Sequence, residues 1–285
     1  MGHDENFEGI SVDELEMFFA RRAELVGHTN LLYQTSTDEV VGVAGLMYDP
    51  SREKFWTQTA AKFGSPFIPA TVLETIKNAQ SIEPAFKLQP VVNDKDPSHI
   101  AAWESHGFKK IQTSYVMKRT HLPTEYPILP TGVNMRTLRE DADWASIQQI
   151  QNDAFEGHFG FVPRTLENFK AFRLDAGMFD PDGIHILSVN GIDAGFVEIN
   201  NEIAHINQGF INVIGVKHSH HKQGLGKILL QWAFAYCASQ GRDGVELFVD
   251  IENKTGALAF YESAGMVAQS AFSTYENPDW ATLKL

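Results

Sequence analysis

The sequence predicts an α/β (α+β) chain with two mixed central sheets flanked by helices. Three observations predict it. An apolar run from Gly209 to Val216 leads into a tight glycine turn, an apolar helix-like run from Leu225 to Ala238, and a second apolar run from Glu246 to Asp250. Strand, turn, helix and strand in such close succession mark an α/β unit. The tract from Thr120 to Gly132 holds three prolines and no helical period, so it reads as a linker. Short strings on its two sides match, which points to a duplicated fold.

The 285 residues suit two domains of about 100–150 residues each. The expected boundaries are a first domain over 1–120, a linker over 121–132 and a second domain over 133–285. The opening Met1-Gly2-His3-Asp4-Glu5-Asn6 is acidic and has no signal-peptide core. Asn6 leaves the myristoylation pattern incomplete. No apolar run reaches the ~18–20 residues of a membrane span. The chain therefore reads as soluble and cytoplasmic. A net charge of −13 disfavours nucleic acid and anionic membrane surfaces as partners. The single cysteine, Cys237, excludes an intramolecular disulfide and falls within the apolar helix, where an inert buried thiol is expected.

In the first half, Asp38 to Leu46 reads as a turn entering a strand and resembles Gly191 to Ile199. Lys62 to Ala70 carries two prolines and one glycine where the second half has its glycine turn. Proline has no N–H, so this segment offers fewer backbone donors. Trp103-Glu104-Ser105-His106-Gly107-Phe108 matches Tyr261-Glu262-Ser263-Ala264-Gly265-Met266. Each glycine stands where a helix C′ glycine belongs. The first half is expected to be a degenerate copy that has kept its fold.

In the second half, His221-Lys222-Gln223-Gly224-Leu225-Gly226-Lys227 joins the strand to the helix. Glycines two apart at a helix start aim several N–H groups at one point, which makes an anion site from main chain. A Walker A loop needs Ser or Thr where Ile228 stands, and a dinucleotide fingerprint needs glycine where Leu229 stands. Both readings fail. His218, His220 and His221 share one turn with no Cys or carboxylate to complete a tetrahedral set, so no metal is expected.

Downstream, Val249-x-x-x-Asn253-x-x-x-Ala257-x-x-Phe260-Tyr261-x-x-x-Gly265-Met266 follows the second strand. Together with the glycine turn, this order over about fifty residues resembles the GNAT superfamily of N-acetyltransferases. Across the chain the organisation resembles tandem GNAT proteins, a group that includes mycothiol synthases. The resemblance implies acetyl-CoA as cosubstrate and a small-molecule amine as acceptor. It places the pyrophosphate at His221, Lys222, Gln223, Gly224, Leu225, Gly226 and Lys227, and the pantetheine arm at Ile214, Gly215 and Val216. Asn253 would touch the same arm or cap the next helix. Tyr261 would protonate the departing thiolate or simply pack in its helix. His221 departs from the usual Arg or Gln, and Lys222 and Lys227 would supply charge instead.

The usual strand-four glutamate has no counterpart between Gly209 and Val216. Glu198 and Glu202 are the nearest candidates for the base, beside His158. The segment Asn152 to Thr165 resembles the loop over the acceptor site, which makes Phe155, His158 and Phe159 candidate acceptor contacts. Phe210 stands where mycothiol synthases place an acidic residue, so their acceptor is not carried over. An acyl-CoA-binding regulatory protein and a protein or peptide acetyltransferase are the alternative functions. The oligomeric state is open.

Overall fold

The computed structural model describes residues 27–34, 40–49, 52–61, 64–174, 179–251 and 256–285. Contacts group these into two compact units. Unit 1 takes the described residues within Met1–Tyr115, Asp250–Glu252 and Ser270–Leu285, and unit 2 takes those within Val116–Val249 and Asn253–Gln269.

Unit 1 contains β1 (Gly27–Gln34), β2 (Val40–Asp49), β3 (Lys54–Ala61), α1 (Ile68–Ile82), β4 (Lys87–Asn93), α2 (Pro97–Ser105) and the first part of β5 (Lys109–Thr120). β1, β2 and β3 pair antiparallel, and β3 pairs parallel with β4 across α1. The next strand beside β4 comes from the far end of the chain. It is β11 (Val267–Glu276), antiparallel to β4 through Phe272↔Asn93, Ser273↔Val92 and Thr274↔Val91. The core follows suit. Tyr275 and Trp280 lie among Phe55, Val72, Leu88 and Trp103. The Trp280 indole donates to the Phe86 carbonyl at 3.0 Å, and its ring meets Phe55 edge-on at 6.2 Å.

Unit 2 contains β6 (Val133–Thr137), α3 (Trp144–Ala154), α4 (Leu166–Leu174), β7 (Ile184–Val189), β8 (Ile192–Asn200), β9 (Gln208–Val216), α5 (Leu225–Ser239), β10 (Gly244–Asp250) and α6 (Ala257–Ser263). β6 to β9 pair antiparallel in order, and β9 pairs parallel with β10 across α5. β5 lies on the other side of β10. Its Lys118 ammonium pairs with Glu246 at 3.0 Å. The two units thus run the same course: antiparallel strands, a helical crossover to a parallel strand, a short helix and a final strand. The matched hexapeptides share one backbone form. Gly107 and Gly265 have φ of 77° and 78°, and their N–H groups donate to Glu104 and Glu262, each at 2.9 Å.

The contact boundary does not follow a cut at residues 121–132. Each half's last strand contributes, wholly or in part, to the unit built mainly by the other half. Nothing in local residue pattern encodes this, because a strand pairs equally well at either of two similar edges. Among the described residues, no helix is long and apolar enough to cross a membrane.

The core of unit 2 holds a buried histidine. His185 on β7 is 5% exposed, between Trp232 and Tyr236 of α5. Burial pushes its pKa down from 6.5 to about 4. A depressed histidine stabilises the fold fully above its unfolded pKa, and that contribution is lost as pH falls from 6.5 towards 4. Between pH 7 and 4.5 the loss should be about 2 kcal/mol. Urea titrations should show the His185→Phe protein losing that much less than the native chain over this interval. Parallel losses would remove His185 as a cause of acid lability.

Candidate active site

β9 and β10 pair only over Gln208–Phe210 and Gly244–Glu246. Beyond those residues they separate, and β9 carries on to Val216 with one edge unpaired by β10. A register shift in β9 opposite Glu198/Ile199 adds to the divergence, since a bulge kinks and twists its strand. The opening so formed leads to the glycine turn. Ile214 and Gly215 lie on the open stretch. Val216 lies there too, but its carbonyl already accepts from His221 Nε2 at 2.8 Å.

The turn itself runs through a short 3₁₀ segment, His218–His220, into α5. Lys222 and Gly224 both adopt left-handed backbone, with φ of 61° and 77°. Left-handed residues near a helix start fold the chain into a concave nest of N–H groups. The backbone N–H groups of Lys222, Gln223, Gly224, Leu225 and Gly226 find no protein acceptor among the described residues. Leu225 is buried and roots the helix, while the Lys222, Gln223 and Lys227 side chains are exposed. Neither lysine is ion-paired among the described residues. Free donors, a helix N-terminus and two uncommitted ammonium groups suit a multiply charged phosphate.

The two glycines do different work. A Cβ on Gly224 would meet no atom within 4 Å and would project into open space, on a backbone that side chains rarely adopt. A Cβ on Gly226 would make ordinary contact with Phe260 at 3.7 Å. Gly224→Val should therefore reduce phosphate-ligand affinity at least ~100-fold, while Gly226→Ala should change it less than ~5-fold. Calorimetry with acetyl-CoA checks both, and unchanged affinity in Gly224→Val would take the turn out of the site.

His221 is turned to the strand. Since a carbonyl only accepts, its Nε2 carries the proton given to Val216. Its ring lies 4.8 Å from that of His218. His218 in turn donates its backbone N–H to Asp153 at 2.6 Å and meets the same carboxylate with its ring at 3.0 Å. These contacts brace the turn against β9 and the end of α3. Among the described residues, no group of three or more His, Cys, Asp or Glu could hold a metal ion.

Tyr261 on α6 is 8% exposed, and burial pushes its phenol up to about 12. Its hydroxyl donates to no protein group among the described residues. The contact of Phe260 with the Gly226 position ties α6 to the first turn of α5. Asn253 lies outside the described residues.

Glu198 is buried on β8. Its Oε2 accepts from Arg173 Nε at 2.9 Å and Nη2 at 2.8 Å, and its Oε1 accepts from Asn212 at 3.0 Å. Arg173 also donates to Gln151 at 2.7 Å and lies over the Phe169 ring. Sequence reading did not find this cluster. The signal was present, because a glutamate inside an apolar strand needs a cation, but the partner lies on α4.

The loop after α3 gathers Phe155, His158 and Phe161, with ring separations of 5.0 Å and 5.9 Å from Phe155. Phe155 also packs over Gly215, 3.4 Å from where a Cβ would stand. Phe159 is half-exposed. The loop thus brings Phe155 and His158 together beside β9. On β10, Phe248 is half-exposed while its neighbours Leu247 and Val249 are buried. Cys237 is buried as expected. Its thiol is pushed up to about 12 by burial, and it packs against Gly209.

Residues 144–266 match the acetyltransferase (GNAT) family. This stretch, somewhat under half of the chain, is similar to GNAT domains. The match begins with α3 and ends just past Tyr261, so it covers the splayed strands, the glycine turn and α6. Among curated relatives, the mycothiol acetyltransferase of Thermobispora bispora is 33% identical over 166 residues, covering 56% of this chain and 55% of that protein. The mycothiol acetyltransferase of Salinispora tropica is 35% identical over 159 residues, covering 54% and 51%. The chain thus spans about half the length of the relatives it matches. A GCN5-related N-acetyltransferase from Sphaerobacter thermophilus superposes with a TM-score of 0.71 at 21% identity, covering 95% of this chain and 82% of that one. A tandem GNAT protein from the clavulanic acid biosynthesis pathway gives 0.69 at 14% identity, covering 89% and 83%. At these identities the likeness is one of fold alone.

Proposed function

We propose that the chain transfers an acetyl group from acetyl-CoA to a primary amine of a small molecule. The observation that carries the reading is the opening between β9 and β10 that ends in five N–H groups, Lys222 to Gly226, without a protein acceptor among the described residues. An amide-rich arm can pair with the free edge of β9 as an added strand while its pyrophosphate sits in the turn. The names of the relatives support an amine acceptor of small size.

In this reading the amine nitrogen attacks the thioester carbonyl, the carbon–sulfur bond breaks, and the amide keeps the acetyl group. Tyr261 gives its proton to the departing sulfur. At a pKa of about 12 its phenol stays protonated throughout the neutral range, as an acid must. The proton lost by nitrogen passes to water in the open cleft. Glu198 was the sequence candidate for that base, with Glu202 and His158. Protonating Glu198 would leave Arg173 buried without its counter-ion, at a cost of about 3–5 kcal/mol. Its role is to anchor α4 on β8. His221 acts as a brace for the turn, and Lys222 and Lys227 supply the charge.

The first half binds no acetyl-CoA in this reading, because its helix α1 starts with a proline in the first turn. Residues 62–63 of its loop lie outside the described residues. Isothermal calorimetry should give one acetyl-CoA site per chain, and thiol release should require an added amine. Two equivalent sites would overturn the assignment to one half, and no binding would overturn the function.

A further inference from the structure

β9 holds one residue more than the strand it pairs with. Glu198 of β8 is opposite Val213 and Ile199 is opposite Ile211, so the pairing skips Asn212. An extra residue of this kind breaks the regular alternation of faces and re-aims its side chain. Asn212 comes to the face of Val213 and Glu198, where its Nδ2 donates to Glu198 Oε1 at 3.0 Å. Val213 on that face packs with Ile147 and Ile150 of α3 and with Phe169 of α4. Ile211 and Val213 are buried, whereas Asn212 between them is exposed.

The carboxylate decides which end of the Asn212 amide faces outward. An ionised carboxylate oxygen only accepts, so the amide turns its NH2 to Glu198. Glu198 is itself fixed, because Arg173 holds its other oxygen at 2.8 and 2.9 Å and is tied in turn to Gln151 at 2.7 Å. Asn212 Oδ1 is left as an oriented acceptor, and it takes no hydrogen from a protein group among the described residues. It stands two residues from Ile214, about 7 Å along the strand. This inference rests on the transfer proposed above. An arm that runs back from the turn along β9 passes Val216 and Ile214 and brings its thioester towards Asn212.

We infer that Asn212 Oδ1 accepts one N–H of the acceptor amine and thereby selects primary over secondary amines. One hydrogen held on the carbonyl turns the nitrogen lone pair to the thioester carbon. After attack the nitrogen carries a positive charge and must lose a proton. A primary amine then has two hydrogens. One stays on Asn212 and the other passes to water, while the carbon–sulfur bond breaks and Tyr261 protonates the sulfur. A secondary amine has a single hydrogen at that stage. With it held on Asn212 none faces water, and an amide oxygen is too weak a base to take it.

The test uses the full-length protein with acetyl-CoA and the smallest primary and secondary alkylamines, methylamine and dimethylamine, which are nearly equal in basicity. Methylamine should show a kcat/KM at least ~10-fold higher. Asn212→Ala should lower the methylamine value at least ~10-fold and narrow the ratio at least ~5-fold, because dimethylamine gains nothing from the carbonyl. Because Asn212 is exposed, the variant should melt as the native chain does and bind acetyl-CoA with the same calorimetric affinity. Equal or reversed preference overturns the inference, as does a ratio unmoved by Asn212→Ala or acetyl-CoA binding with neither amine acetylated. A variant that loses stability or acetyl-CoA affinity would make Asn212 a structural residue and overturn it too. Failure of the native chain to bind acetyl-CoA at all would instead overturn the transferase reading itself.

Discussion

A fragment starting at Thr131 should be insoluble or should melt without a cooperative transition. It keeps β11 but discards β4, the strand to which β11 is hydrogen-bonded. It keeps Tyr275 and Trp280 but discards Phe55, Leu88 and Trp103, against which they are buried. Two such aromatics bury about 150–250 Å² each, worth roughly 8–12 kcal/mol in total at ~25 cal/mol per Å² as an upper bound. That is comparable to the whole stability of an ordinary domain. The cut also removes β5 from beside β10, which turns a central strand into an exposed edge. The complementary fragment ending at Thr131 should fail for the mirror reason, lacking β11 and Trp280. Light scattering and thermal melts of both fragments check this. A monomeric 131–285 fragment with a sharp melt would show that the strand placement is not needed for folding.

Tyr261→Phe should lower kcat about 10²-fold or more and leave acetyl-CoA affinity within ~2-fold. The substitution keeps the ring that fills the buried position on α6 and deletes only the hydroxyl. That hydroxyl makes no hydrogen bond to protein among the described residues, so its loss should cost little stability. An effect on kcat without one on stability or binding is the signature of a proton donor. The pH profile offers a second check. With the phenol pushed up to about 12, Tyr261 should impose no alkaline fall in rate below about pH 11. Equal kcat for the two proteins would make Tyr261 a packing residue.

Sequence alone determined whatever depends on neighbours along the chain. The run Gly209 to Val216 is β9 to within one residue, and Leu225 to Ala238 is α5 to within one residue. The glycine turn stands where the sequence places it, and Gly224 takes the left-handed backbone that glycine adopts at little cost. The two hexapeptides ending at Phe108 and Met266 fold alike because their helix-ending glycines impose the same backbone. These features follow from periodicity, backbone sterics and hydrogen bonds over a few residues, all of which are written locally.

Only the tertiary structure decided which similar edge each final strand joins, and so why residue 280 belongs to a core built by residues 55–108. It alone showed Glu198 bound to Arg173, where the sequence displayed an unattached carboxylate near the expected base position. It alone showed His221 turned to Val216 and Phe248 half-exposed on β10. Each of these depends on groups brought together from distant parts of the chain. Pairing energy at two like edges, or at two available partners, is nearly the same from the residue's own point of view. The choice between them is made by packing of the whole chain, which no local pattern records.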